Sequence, residues 1–498
     1  MNRQNGSAHA QPRFAPATAR TRPRVVLLVC DGLRPDRIDP ARMPALTQLR
    51  RTGMNFPLAR TVFPSETRVA AASLVTGCLP GDHGLLANDF YDPRIFAARP
   101  VATASGSDLV ELARIRGRLL ARQTLAERLA ANGLRYAVVS TASEGTSRIL
   151  AEGATIPLGF VWSPHPGIAT PGAAAAVAEA VGAAPAHAIP RVAAIDHAAR
   201  VLTEYVLPNI DPDVAILWSG EPDSTYHRCG LGGAEAAIAE RAADDALAHL
   251  LAWRARNGED DRMQVVVASD HGHLTGSERI DVARLIRAGG WPVAEGTPGA
   301  LDIVVVPGSA SFVYGLQDGT RRSHELIAWL SDQDWCDAVF ARRSIAGRAG
   351  LADLGLDHPA APDLVFTLRQ DDRLADGGIA GRCLFDAELA SGAGIHGGLH
   401  RHEMASTLAV QGSMFRSGAT GLLHAGLVDI APTILDVLGV SATGMRGRCL
   451  AEAYADSGPV MPALTRHEIL LPEASRHSTA LNRSQVGETP YLDGLTGP

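Results

Sequence analysis

Five short apolar, β-branched runs alternate along this chain with longer stretches rich in Ala, Leu and Arg, and that alternation leaves few folds open. The runs are Val25 to Cys30, Tyr136 to Ser140, Val214 to Trp218, Gln264 to Ala268 and Asp302 to Val306. Residues 42–52, 121–133, 191–208, 233–256, 281–289 and 322–332 have the composition of helices. Parallel strands need a long crossover between them, and helices supply it. The pattern therefore predicts an α/β fold with a mostly parallel central sheet and helices on both faces. A chain of 498 residues has room for two or three units of roughly 150 residues, or for one large core with insertions. We read 1–22 as a disordered tail, and 23–280 with 391–450 as the catalytic core. Residues 155–190, rich in Pro, Gly and Ala, read as an insertion or lid beside the substrate; 281–390 read as an inserted smaller lobe and 451–498 as a polar C-terminal tail. Leu427 to Leu438 has helical periodicity around a proline and is expected to dock the C-terminal part on the sheet.

Composition narrows the chemistry. All 46 basic residues are arginine. Without a lysine amine the chain can form no Schiff base and has no Walker A lysine. A net charge of −7 and the absence of a long basic run argue against bulk nucleic-acid binding, although a short nucleotide still fits as a substrate. The six cysteines are scattered, with no C-x-x-C pair to suggest a zinc knuckle or redox site. No stretch reaches the ~20 apolar residues of a membrane helix. Val25 to Cys30 is too short for a signal-peptide core, so a cytoplasmic location without a membrane partner is expected.

In an open α/β sheet, ligands bind beyond the carboxyl ends of the strands. Val25 to Cys30 runs into Asp31-Gly32. Val214 to Trp218 runs into Ser219-Gly220-Glu221-Pro222-Asp223, with His227 four residues on. Gln264 to Ala268 leads to Asp270-His271-Gly272, and a later Gly-rich turn supplies His396. A single Asp after a strand is usually a helix cap or turn residue. Three acids and three histidines in matching contexts are instead a hard-to-borderline donor set suited to two divalent metal ions, zinc foremost. Between the first two ligand-bearing strands, Thr61 to Gly77 reads as a loop that becomes a helix at about Thr67. A hydroxyl at a helix N-terminus sits among unpaired N–H groups, which favour an alkoxide and a bound phosphate. Ser65 and Thr67 both suit that position.

The whole set resembles the alkaline phosphatase superfamily, in particular its nucleotide pyrophosphatase/phosphodiesterase branch. That family's pattern has an Asp-Gly after the first strand, then a threonine ten residues before the glycine of a Ser-Leu/Ile-Val-Thr-Gly run. It continues with P-x-x-H-G, an Asn, E-P-D-x-x-x-H, D-H-G and H-G. Here stand Asp31-Gly32, Thr67 with Ser73-Leu74-Val75-Thr76-Gly77, Pro80 to Gly84, Asn88, Glu221-Pro222-Asp223 with His227, Asp270-His271-Gly272 and His396-Gly397, in that order. The resemblance implies an alkaline-phosphatase-like fold and selects Thr67 as nucleophile. It implies that Asp31, Asp270, His271 and the Thr67 hydroxyl hold one metal, and that Asp223, His227 and His396 hold the other. Asn88 and the Thr67 amide would donate to a phosphoryl oxygen. His83 is expected in a supporting or turn contact. His273, His400 and His402 match no ligand position and are expected in supporting or surface roles. Where family members often carry P-N-H after the nucleophile this chain has Val69-Ala70-Ala71, and Arg68 follows Thr67 directly. Arg68 then either touches a substrate phosphate or sulfate, or forms a surface pair.

The implied reaction is in-line displacement at phosphorus by Thr67, through a covalent phosphothreonine, on a small phosphate-ester substrate. The full set for a third metal site, typical of the superfamily's phosphomonoesterases, is missing, which favours a phosphodiester or nucleotide pyrophosphate. A phosphomonoesterase, kept open by Arg68, or a phosphonate or sulfate ester hydrolase is the alternative. Ser65-Glu66-Thr67-Arg68 does not match the C/S-x-P-x-R nucleophile motif of sulfatases. A non-catalytic phospho-ligand binder is the distant rival.

Overall fold

The computed structural model describes residues 22–165, 167–316, 321–342, 349–375, 377–457, 462–471, 478 and 480–496. Apart from Arg22, the N-terminal tail expected over 1–22 lies outside the described residues. The central sheet has eight strands: β1 (Arg24–Cys30), β2 (Met54–Asn55), β3 (Tyr136–Ser140), β4 (Gly159–Trp162), β5 (Val214–Ser219), β6 (Met263–Ala268), β7 (Leu408–Gln411) and β8 (Ala419–Thr420). Their order is β8-β2-β7-β6-β1-β5-β3-β4. β7 runs antiparallel to both its neighbours, and the other pairings are parallel.

β1 shows why the sheet has two covered faces. Every residue of its RVVLLVC run is buried, as expected for a strand packed on both sides. Val25, Leu27 and Val29 face one apolar cluster together with Ala70, Ala71 and Leu74 of helix α1 (Thr67–Thr76). Val26, Leu28 and Cys30 face another, built with Ile195 and Ala198 of α2 (Val192–Arg200). Asp223–Cys229 forms α3, and Ala234–Arg256 forms α4, whose Ala243, Leu247 and Leu250 join that second cluster.

Register positions the site. Cys30 pairs with Ser219 and Val29 with Ala268, so β1, β5 and β6 end level with one another. Continuing the β1–β6 register by two residues brings Asp31 alongside Asp270. The segments after all three strands therefore leave the sheet at one edge.

Tertiary pairing departs from the sequence expectation in three places. Within Asp302 to Val306, the strand Val304–Val306 pairs antiparallel with Ala310–Tyr314 in a separate four-stranded sheet over its own apolar cluster. β-branched content marks a strand but not its partner. Residues 155–190, read as an insertion, give β4 to the edge of the central sheet. Within 451–498, read as a tail, Leu464–Leu470, Ala480–Val486 and Thr489–Thr496 form a three-stranded antiparallel sheet. Asp493 ties it to Arg60 and His424, and Tyr491 donates a hydrogen bond to Asp429. Its outer strand Leu464–Leu470 is mostly exposed, which is why it reads as polar. Among the described residues no helix is long and apolar enough to cross a membrane.

At the opposite end of β1, Arg24 is 1% exposed and pairs with Asp211, with Glu259 3.5 Å away. Removing one partner of a buried ion pair strands the other charge. Asp211→Asn is expected to lower the unfolding free energy by about 3 kcal/mol, read from urea unfolding.

Candidate active site

The level strand ends bring Asp31, Asp223 and Asp270 together with His227, His271, His396 and the Thr67 hydroxyl. Asp31 follows β1, and its Oδ2 accepts a hydrogen bond from the buried Trp218 indole at 3.0 Å, which turns Oδ1 toward the site. Thr67 Oγ1 lies 3.5 Å from that Oδ1 and 3.1 Å from His271 Nε2. Asp270 Oδ1 accepts the N–H groups of Gly32 and His271 at 2.8 and 3.0 Å. Asp223 opens α3, and its amide donates to the Asp31 carbonyl at 3.0 Å, so the two acidic turns are tied through the backbone. His227 lies one helical turn on, its Nε2 3.2 Å from Asp223 Oδ1.

Gly32 is required where it stands. It has φ +72°, and a Cβ there would lie 2.3 Å from the His273 ring. Only glycine combines that backbone conformation with so close a neighbour.

The imidazoles share one device. His227, His271, His273 and His396 each donate Nδ1–H to a backbone carbonyl, of Gly394, Gly272, Gly32 and Ser65, at 2.7, 3.1, 3.1 and 2.8 Å. A carbonyl only accepts, so the proton sits on Nδ1 and the Nε2 lone pair faces inward. This is how metal-ligating histidines are oriented. Asp223 Oδ1, Asp270 Oδ2 and His273 Nε2 are buried without a hydrogen-bond partner among the described residues. Orphaned acceptors converging in this way fit divalent cations with mixed nitrogen and oxygen ligands. Two groups result: Asp31, Asp270 and His271 beside Thr67, and Asp223, His227, His273 and His396. The rings of His271 and His396 stack across the boundary, 3.8 Å between centroids.

Electrostatics follow from burial. Burial, together with Asp270 and Asp223, pushes the Asp31 carboxyl well above its ordinary range. Burial lifts Asp270 to about 7 and drops His271 to about 3. Burial opposes the Asp223 charge as well, but His227, when it carries a proton on both nitrogens, outweighs it and holds that carboxyl low.

The remaining candidates separate. Ser65, the rival hydroxyl, is fully buried; its Oγ donates to the Gly398 carbonyl and accepts from Gly397 N–H, so it fixes the His396 loop. Asn88 Oδ1 accepts the Arg68 amide at 3.2 Å, which leaves the Asn88 amino group as the donor beside the α1 N-terminus. Among the described residues Arg68 makes no surface ion pair, and its Nε donates to Thr103 Oγ1 at 2.9 Å. His83 is buried, with Nε2 2.9 Å from Ser73 Oγ and Nδ1 accepting Leu85 N–H. His400 and His402 group instead with Asp372, away from this site. His400 Nδ1 caps the following helix by accepting His402 N–H, so its proton is on Nε2, 3.0 Å from Asp372. That is the wrong tautomer for a metal ligand. His273, expected in a supporting or surface role, is not on the surface: it is fully buried inside the second group, its Nε2 3.1 Å from Asp223 Oδ1. The available signal was its spacing, because residues i and i+2 of an extended segment share a side.

A cleft of about 290 Å³ opens onto Asp31, Thr67 and Asp223, and its walls include Arg68, Arg191, His165 and His187. Sequence reading missed Arg191, His165 and His187, which carry no motif. Glu221 anchors Arg191 by accepting its backbone N–H at 2.9 Å while also accepting from Thr225. Neither Arg68 nor Arg191 has an ion-pair partner among the described residues. A larger cavity of about 530 Å³, lined by Cys229, Leu231, Thr275 and Arg382 among others, contains none of the clustered acids and histidines. Chemistry, not size, marks the site.

A mostly parallel α/β sheet with Asp and His groups at its carboxyl edge is an alkaline-phosphatase-like fold. Within it, this chain belongs to the type I phosphodiesterase/nucleotide pyrophosphatase family, whose model matches residues 25–326. His396 lies beyond that match and is brought in by the fold. The chain is similar to bis(5'-adenosyl)-triphosphatase enpp4 of Xenopus laevis, 36% identical over 70 residues, which are 14% of this chain and 16% of that protein. It is similar to ectonucleotide pyrophosphatase/phosphodiesterase family member 7 of Homo sapiens, 39% identical over 69 residues, 14% and 15% of the two chains. An uncharacterised pyrophosphatase/phosphodiesterase of Schizosaccharomyces pombe is 33% identical over 69 residues, 14% of each. These alignments span about one seventh of the length of the curated relatives.

Trp218→Phe keeps most of the buried volume but removes the hydrogen bond that orients Asp31. Metal affinity is expected to fall roughly 10–100-fold with the fold retained, measured by chelator competition and circular dichroism.

Proposed function

We propose that this enzyme cleaves phosphodiester or nucleotide pyrophosphate bonds of a small substrate, with two divalent ions, zinc foremost, and a covalent phosphothreonine at Thr67. The supporting observation is the Thr67 hydroxyl, placed at a helix N-terminus and within 3.5 Å of both Asp31 and His271. Asp31, Asp270, His271 and Thr67 would hold one ion, and Asp223, His227 and His396 the other. When bound, the pair supplies Lewis-acid polarisation of the phosphoryl group and lowers the pKa of the hydroxyl and of water.

Thr67 Oγ gives its proton to solvent and forms a bond to phosphorus as the bond from phosphorus to the ester oxygen breaks on the opposite side, that oxygen leaving with a proton from solvent. The α1 N-terminus and the Asn88 amino group donate to the phosphoryl oxygens as charge builds on them. Water then breaks the Thr67–phosphorus bond from the vacated side, and Thr67 regains its hydroxyl. Ser65 keeps His396 in place throughout.

Arg68 and Arg191 favour a substrate with more than one anionic group. Both guanidinium groups border the cleft without a carboxylate partner, and charge-assisted bonds to phosphate are their natural use. Residues 155–190, through His165 and His187, form the wall that meets the leaving group and serve as the lid. Arg68 also suits a monoester dianion, so the ratio of diester to monoester turnover decides between those readings.

Zinc-loaded protein is expected to hold about two ions per chain and to turn over bis-p-nitrophenyl phosphate well above p-nitrophenyl phosphate. Thr67→Ala is expected to lose about 10³-fold or more in turnover while keeping bound zinc. Unchanged turnover in that variant, or inactivity of the zinc-loaded wild type on both esters, would overturn the mechanism. Arg191→Ala is expected to raise KM about tenfold for a dinucleotide pyrophosphate and much less for bis-p-nitrophenyl phosphate, as steady-state kinetics on both substrates will show.

A further inference from the structure

We propose that His273 is a fourth protein ligand of the second metal position, alongside Asp223, His227 and His396. The inference rests on the two-metal reading above and adds to it a residue outside the ligand pattern that the sequence resemblance supplies.

Lone pairs converge on one carboxylate oxygen. His273 Nε2 lies 3.1 Å from Asp223 Oδ1, the same oxygen that His227 and His396 approach at 3.2 and 3.6 Å. All three rings commit their Nδ1 protons to backbone carbonyls, so in the neutral state each points a lone pair at a carboxylate oxygen. Acceptors facing acceptors repel, and here they do so in a largely enclosed setting, His273 fully buried and the other three groups half-buried, where the repulsion is less screened than in water. One added proton could relieve one contact. Relieving all three by protonation would place three imidazoliums around one carboxylate, a buried excess of positive charge that is too costly. A single divalent cation among the four atoms relieves every contact at once.

His273 is placed as firmly as the other members. It is fully buried, its ring packs edge-on against Tyr226 at 5.2 Å, and Gly32 leaves space for it by lacking a Cβ. Its ring centre is 5.4 Å from that of His227 and 5.0 Å from that of His396. A surface or purely packing histidine has no need of an unpartnered Nε2 aimed at a carboxylate. Three imidazoles and one carboxylate favour zinc or cobalt over magnesium or calcium. They also make this position more closed than a three-ligand catalytic site.

Cobalt(II) loading of the full chain tests the assignment directly. In proton NMR in water, each ligating histidine contributes one exchangeable Nδ1–H signal shifted far outside the diamagnetic range. Four such signals are expected from wild type, for His227, His271, His273 and His396. His273→Ala and the bulkier His273→Gln are each expected to show three. One of the two cobalt equivalents should weaken at least tenfold by chelator competition while the other is unchanged. Three signals from fully loaded wild type, or an unchanged count in a folded His273 variant, would overturn the inference while leaving the two-metal reading intact. Failure of wild type to bind cobalt or zinc would overturn both.

Discussion

Three carboxylates and four imidazoles are buried within contact of one another, and everything around them serves to hold that arrangement. Left to itself the cluster would protonate or spread apart, because burial penalises each charge and like groups repel. The opposing force is the scaffold. Parallel register ends β1, β5 and β6 at one level, the Asp31 carbonyl takes the Asp223 amide, and Gly32 N–H holds Asp270. Each histidine is locked by a carbonyl on its far nitrogen. The fold stores the repulsion, and a cation held by these groups would relieve it.

The hydroxyl and its surroundings are organised by the same economy of backbone contacts. Thr67 is the first residue of α1, and Glu66 before it is half-buried and accepts the Asn88 backbone N–H. Burial pushes the Glu66 carboxyl up to about 7. Ser65 binds both amide and carbonyl of the His396 turn, and Glu403 accepts the N–H groups of Gly398 and His400 on the other side of it. Four consecutive residues, Ser65 to Arg68, therefore touch the second ligand group, the Asn88 loop, the first ligand group and the cleft in turn.

Much of this was legible in the residues. The strand runs of the core, the helices near 192–210 and 234–256, and the acids and histidines after three of the core strands could all be read from local pattern, because burial on both faces and strand-end chemistry leave marks in consecutive residues. Less was legible in the periphery. Val304–Val306 was recognisable as a strand but not as a member of a second sheet, and the polar sequence of 464–496 hid three strands that expose much of one flank. Arg191, His165 and His187 belong to no spacing pattern, and they meet the site only because the chain returns to it after β4.

The sequence by itself determined the set of Asp and His groups that could hold metal and the strands that carry them, since those residue types stand in order at the strand ends. The tertiary structure alone decided three matters. Ser65 and Thr67 are both hydroxyls at the start of a helix, and only packing shows that one faces the ligands and the other fastens a loop. Similarly, His273 and His400 are both histidines just past recognised ligands. A carbonyl on Nδ1 turns the first toward Asp223, whereas a helix amide on Nδ1 gives the second the opposite tautomer. The direction of a side chain and the nitrogen that bears its proton depend on neighbours far away in the chain, and no local pattern records them.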